Sequence, residues 1–106
     1  METKQVAEVI RKWAEREPLI RRAYIFGSRA RNENDADADL DVAVELNSVP
    51  GDLSPLATWF YESDRLRDSL QSLFLIKVDL QVYTDQTAIV KAGIEKSSIF
   101  AYDSEY

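Results

Sequence analysis

The 106 residues include neither cysteine nor histidine. Without cysteine the chain can form no disulfide, no thiolate nucleophile and no thiolate metal site. Without histidine it lacks the commonest general base and the commonest transition-metal ligand, so any acid, base or metal chemistry falls to carboxylates. Positive charge is also in the minority. Asp+Glu number 19 against 13 Lys+Arg, a formal charge of -6, which is the wrong sign for gripping nucleic acid by neutralising phosphates. No nucleic-acid partner is expected. Long apolar runs are missing as well: the opening METKQVAEVIRKW is charged and amphipathic, so neither a signal peptide nor a membrane span is expected, and the chain is placed in the cytoplasm.

Hydrophobic residues at 45% and charged residues at 30% give the balance of an ordinary globular protein. The length suits one core, so residues 1–106 are read as a single domain. Val6, Val9, Ile10, Trp13 and Ala14 recur at helical spacing, predicting a helix that ends before Pro18. The stretch IRRAYIF, residues 20–26, reads as a strand closed by Gly27, with Ser28 opening a short helical turn. Over 39–46 the alternation is clean: Leu40, Val42, Val44 and Leu46 point one way, Asp39, Asp41, Ala43 and Glu45 the other. A turn at 48–52 leads to Ser54-Pro55, an N-cap followed by proline at the first helical position. The helix that follows runs to about Leu73 and is expected to bury Leu56, Phe60, Leu66, Leu70 and Leu73. IKVDLQVY, residues 76–83, alternates again with Asp79 on its polar face. Thr84 or Asp85 caps a last helix to about Lys96, and the tail is apolar and then acidic. This order predicts an α+β fold, a small mixed β-sheet with helices packed mainly on one face.

Within NDADADLDVAVEL, residues 34–46, four aspartates alternate: Asp35, Asp37, Asp39 and Asp41. Such a row costs free energy unless it is solvated or neutralised by a cation. On a strand, Asp39 and Asp41 project from one face with β-carbons roughly 6 to 7 Å apart, close enough to share a hard cation. Asp79 on the matching face of another strand makes a third carboxylate if the two strands are neighbours. Oxygen ligands alone favour Mg²⁺ or Mn²⁺ over zinc or copper, and magnesium commonly bridges carboxylates to phosphates. Taken alone, the Asp-x-Asp pair also reads as a solvated strand end. The preceding Gly27-Ser28 reads either as a turn glycine with a helix cap or as a phosphate cradle, where leading N–H groups and a hydroxyl meet phosphate oxygens.

Gly27-Ser28, ten intervening residues, Asp39-Leu40-Asp41 and a later strand carboxylate at Asp79 form a more specific pattern than any one part. On these residues the chain resembles the nucleotidyltransferase superfamily related to DNA polymerase beta. More narrowly, GSRARNENDADADLDVAV is similar to the signature of the minimal nucleotidyltransferases (MNT), which are often encoded beside HEPN-domain toxins. The resemblance implies a polymerase beta-like core in which Asp39, Asp41 and Asp79 bind two metal ions, while Gly27 and Ser28 hold the triphosphate. Arg29 and Arg31 are candidates for offsetting phosphate charge, against a reading as solvated loop cations. Two positions depart from the pattern: Asn32 replaces a usual glycine and Ala38 a common serine, the latter removing a loop hydrogen bond. Asp35 and Asp37 fall in the connecting loop, where turn-forming or solvated aspartate is the plainer reading.

The implied reaction is Mg²⁺-dependent transfer of AMP from ATP to a hydroxyl, tyrosine being the expected acceptor, of a HEPN toxin that the chain restrains as antitoxin. Two further readings stand beside it: a binding module that neutralises its partner by occlusion alone, and a transferase for small molecules such as aminoglycosides, which lacks an obvious second domain to hold the substrate.

Overall fold

Residues 2–31, 39–51 and 54–105 are described by the computed structural model. The sequence readings at Asn32, Asp35, Asp37, Ala38 and Asp52 lie outside the described residues. The chain order is α1 (Thr3–Glu15), β1 (Ile20–Phe26), a 3-10 turn (Gly27–Arg29), β2 (Leu40–Leu46), α2 (Pro55–Gln71), β3 (Val78–Val82), α3 (Ala88–Lys96) and β4 (Ser98–Asp103). The four strands form one mixed sheet in the order β3-β2-β1-β4. β1 is antiparallel to both β2 and β4. β2 and β3 are parallel, a pairing that requires a long crossover, here the one through α2. This is the α+β arrangement that the alternating segments predict.

Sidedness follows from the two periodicities. Leu40, Val42, Val44 and Leu46 all turn to one face, where they meet Ile20, Ala23 and Ile25 of β1, Leu80 and Val82 of β3, and the apolar stripes of α1 and α2. Helix α1 contributes Val6, Ile10, Trp13 and Ala14, all buried, and Trp13 Nε1 donates to Ser69 Oγ of α2 at 2.9 Å. Among the described residues the opposite face carries α3 alone of the helices, with Ile94 packed on Tyr24 and Ala43. Helices therefore cover mainly one face, and the acidic side of β2 lies on the other. No helix among the described residues is long and apolar enough to cross a membrane.

Helix α2 departs from expectation in which face it buries. Phe60 and Leu73 are exposed, at 78% and 39%, while Trp59 is buried. With about 100° between successive residues, Trp59 shares the phase of Leu66 and Leu70. Phe60 instead leads to Ser63, Asp64 and Arg67, so the polar stripe sets its side. Leu73 lies beyond the last helical residue, Gln71. The start of α2 is as predicted, with Ser54 Oγ accepting from the Ala57 N–H at 3.2 Å. Helix α3 begins later than expected because Thr84 and Thr87 are spent on a turn of their own: Thr87 Oγ1 accepts from Thr84 N–H and donates to Thr84 O, each at 2.9 Å. The tail, read simply as apolar then acidic, is strand β4.

The outer edge of β3 is sealed by side chains of α2. Gln71 accepts from the Val78 N–H and donates to Ile76 O, both at 2.8 Å, and Arg67 Nε donates to Leu80 O at 3.3 Å. These bonds occupy backbone groups that an edge strand otherwise leaves open. Gln71→Ala should lower unfolding free energy by about 1–3 kcal/mol, since it strips two half-buried backbone groups of their partner. Urea unfolding at constant m-value checks this.

Candidate active site

Strand β1 ends at Phe26, and the backbone reverses through Gly27 at φ +74, a left-handed conformation that glycine adopts without penalty. Space gives a second reason for glycine. A Cβ added at Gly27 would overlap Asp41 Oδ2 and stand 3.3 Å from Asp41 Cγ. The glycine thus lets the turn lie directly against the Asp41 carboxylate. Ser28 is half-buried and Arg29 is buried in the same turn. The turn's own bonds use the N–H groups of Ala30 and Arg31, each at 3.2 Å. The earlier N–H groups of a helical turn lack such partners.

On the sheet, Asp41 stands opposite Phe26 of β1 on one side and opposite Asp79 of β3 on the other. The parallel register therefore sets two carboxylates side by side across adjacent strands, on the face away from the main core. Phe26 is held from above by α3, where a Cβ at Gly93 would come within 3.1 Å of its ring. Burial raises the Asp41 pKa, and the charges of Asp79 and Asp39 raise it further, against a smaller lowering by Arg31. Repulsion of this kind is the electrostatic signature of a site short of positive charge.

Each acid has a neighbour that tempers it. The Asp39 carboxylate leans outward to Lys77 Nζ at 3.9 Å, both side chains being well exposed. Asp79 Oδ1 accepts from Gln81 Nε2 at 2.8 Å. Arg31 reaches Ser97 Oγ at 3.5 Å and acts on Asp41 through its charge. Asp41 and Asp79 are thus brought together by the register. Asp39, one residue before β2, is close enough to be felt by Asp41 but does not complete a cage: among the described residues no three such side chains stand ready-grouped for a metal. As a donor set, three carboxylates with surplus negative charge and no nitrogen or sulfur ligand fit a hard divalent cation.

Further along the same face a second polar group was not anticipated from the sequence. Tyr24 donates to Glu45 Oε2 at 2.8 Å, and Arg22 Nε donates to Asp103 Oδ2 at 3.1 Å. Burial, followed by the bond to Glu45, raises the Tyr24 pKa. Its ring packs against Phe100 at 4.7 Å and Tyr83 at 5.7 Å between centroids. The alternation of Arg22, Tyr24 and Phe26 in IRRAYIF was the available signal. A cleft of about 860 Å³ borders Arg22, Tyr24, Phe100 and Asp103, and another of about 400 Å³ lies at the far ends of β2 and β3 beside Glu45, Tyr83 and Thr84. Neither is lined by Asp39, Asp41 or Asp79.

Comparison with known proteins adds an independent line. The family described as "Polymerase beta, Nucleotidyltransferase" matches residues 8–105. No curated protein matches the chain. Among solved structures, a toxin–antitoxin complex with AMP-PNP is 19% identical, with a TM-score of 0.66 over 94% of this chain and 74% of that one. A tri-AMPylated Shewanella oneidensis HEPN toxin in complex with MNT antitoxin is also 19% identical, with a TM-score of 0.61 over 99% of this chain and 75% of that one. A Sulfolobus solfataricus structure described as "a putative nucleotidyltransferase" is 17% identical, with a TM-score of 0.50 over 96% of this chain and 80% of that one. At these identities the shared feature is the fold.

Proposed function

The chain belongs to the polymerase beta nucleotidyltransferase family, and on that premise we propose that it transfers AMP from ATP to a hydroxyl, tyrosine foremost, of a partner HEPN toxin and thereby acts as its antitoxin. Residues 1–106 serve as one minimal nucleotidyltransferase domain working in the cytoplasm. The observation that carries this reading is the in-register pairing of Asp41 with Asp79, directly beside the Gly27 turn. Structural neighbours solved with AMP-PNP and with a tri-AMPylated toxin support the choice of nucleotide and of partner.

In this reading Asp39, Asp41 and Asp79 hold Mg²⁺ or Mn²⁺, and the Gly27–Arg29 turn receives the β- and γ-phosphates. The cation, when bound, supplies Lewis-acid stabilisation of the transferring phosphoryl group and lowers the pKa of the acceptor hydroxyl. Gly27 offers backbone where a side chain would block the phosphate's approach to Asp41. Ser28 adds a hydroxyl donor, and Arg29 and Arg31 offset negative charge. The acceptor oxygen forms its bond to the α-phosphorus as the bond to the β-phosphate oxygen breaks, pyrophosphate leaves, and Asp79 takes the hydroxyl proton.

A labelling experiment tests the assignment. Incubated with Mg²⁺, ATP labelled at the α-phosphate and the product of the adjoining gene, the protein should place label on that partner, at a tyrosine by peptide mapping. Label on an added aminoglycoside would replace this reading with a small-molecule transferase. Tight complex formation without label would leave occlusion as the antitoxin mechanism.

A further inference from the structure

Two residues beyond Asp79 on β3, Gln81 projects from the same face. Its amide Nε2 donates to Asp79 Oδ1 at 2.8 Å. The residue opposite on β2 is Ala43, which is fully buried and carries too little side chain to compete for the amide. That vacancy lets the Gln81 side chain lean back along its own strand to the acid. The residues that flank β3 on this face are Lys77, already turned to Asp39, and Tyr83, whose ring packs on Tyr24. Asp41 faces Asp79 from β2 and, being an acid, can only repel it when both are ionised.

We infer that Gln81 is a positioning residue for the divalent-cation site: it fixes the Asp79 carboxylate by one oxygen and so orients an acid that, with Asp41, would hold the cation. The inference rests on the metal-binding role given to Asp79 above. A neutral amide suits the task. Lysine or arginine in its place would orient the carboxylate equally well but would bring a positive charge that competes with the cation. Glutamine supplies the hydrogen bond and leaves the negative potential intact. Outer-shell partners of ligating carboxylates commonly change metal affinity by about 10- to 100-fold when removed.

The test uses the full chain, Mn²⁺ as probe and no nucleotide, with free Mn²⁺ read by electron paramagnetic resonance. Gln81→Met keeps the length of the side chain and removes the donor; Gln81→Leu is a second variant. Thermal melts in EDTA establish that each is folded. We expect Gln81→Met to weaken Mn²⁺ binding about 10-fold or more, and to add no further weakening in an Asp79→Asn background, because the carboxylate it positions is then gone. Wild-type affinity in Gln81→Met, or a full penalty that persists in the Asp79→Asn background, overturns the inference while leaving the metal site standing. Mn²⁺ binding that is indifferent to Asp79→Asn in the otherwise wild-type chain overturns both.

Discussion

Asp41→Asn should lower nucleotide transfer by about a thousandfold while making the metal-free protein more resistant to heat. The loss in rate follows from removing a ligand whose cation contributes several kcal/mol of transition-state stabilisation, with each 1.36 kcal/mol worth about tenfold. The gain in stability follows from the electrostatics. Asp41 is held half-buried opposite Asp79, and burial and the two neighbouring acids raise its pKa. A carboxyl whose pKa is higher in the folded than in the unfolded state binds its proton more tightly when folded, so ionising it weakens the fold. The penalty is absent below the ordinary carboxylate pKa, grows as pH rises from there to the raised value, and is complete above it. Melts in EDTA at neutral pH should place the variant above wild type, and the two should converge at a pH below the carboxylate range. A variant that melts lower than wild type at neutral pH would remove this account of the site. Added Mg²⁺ should stabilise wild type and leave Asp41→Asn nearly unmoved.

Gly27→Ala should damage both stability and activity, for separable reasons. At φ +74 a side chain carries a conformational cost of about 1–2 kcal/mol. The new Cβ also overlaps Asp41 Oδ2, so either the acid or the turn must move. A displacement near 1 Å at reacting groups can cost about 100-fold in rate, and that is the loss expected in transfer. Gly51 provides the control: its φ is +94, yet nothing lies within 4 Å of an added Cβ. Gly51→Ala should therefore show the backbone cost alone. Urea unfolding of the two variants side by side isolates the contribution of the Asp41 overlap, and Asp41→Ala should recover part of it in the Gly27→Ala protein. Equal destabilisation at Gly27 and Gly51 would mean that the carboxylate yields at no cost.

What could be read from the sequence tracks how strongly local physics determines each feature. The α1 stripe and the strand IRRAYIF are each set by one dominant period, and the structure places them at Thr3–Glu15 and Ile20–Phe26. The alternation of β2 and β3 gives the face of Asp41 and Asp79, because a strand's sidedness needs no knowledge of its partner. Their direct opposition does need it: a shift of two residues would keep Asp79 on its face and set it opposite Asp39 or Ala43 instead of Asp41, and nothing local to either strand reports the pairing. SIFAYD carries no clear strand signal, since six residues with a bulge opposite Ala23 and Tyr24 present no regular alternation. Phe60 is apolar but lies off the phase of Trp59, Leu66 and Leu70, and phase decides which side of α2 is buried. The bond from Gln81 to Asp79 was within reach, as i and i+2 on one strand always share a face, but the amide's direction depends on the small residue at Ala43 across the ladder.

Asp41 and Asp79 are separated by a long excursion through α2, yet their spacing is fixed by backbone hydrogen bonds between β2 and β3. The intervening segment supports that geometry only through the α2 side chains that bind β3 and pack against the sheet. A designer could shorten, lengthen or exchange the excursion and keep the two acids at the same separation, provided that Gln71 and Arg67 or equivalents still clasp the outer strand. The chemistry is thereby insulated from changes on the outward side of α2, where Phe60 and Tyr61 are exposed.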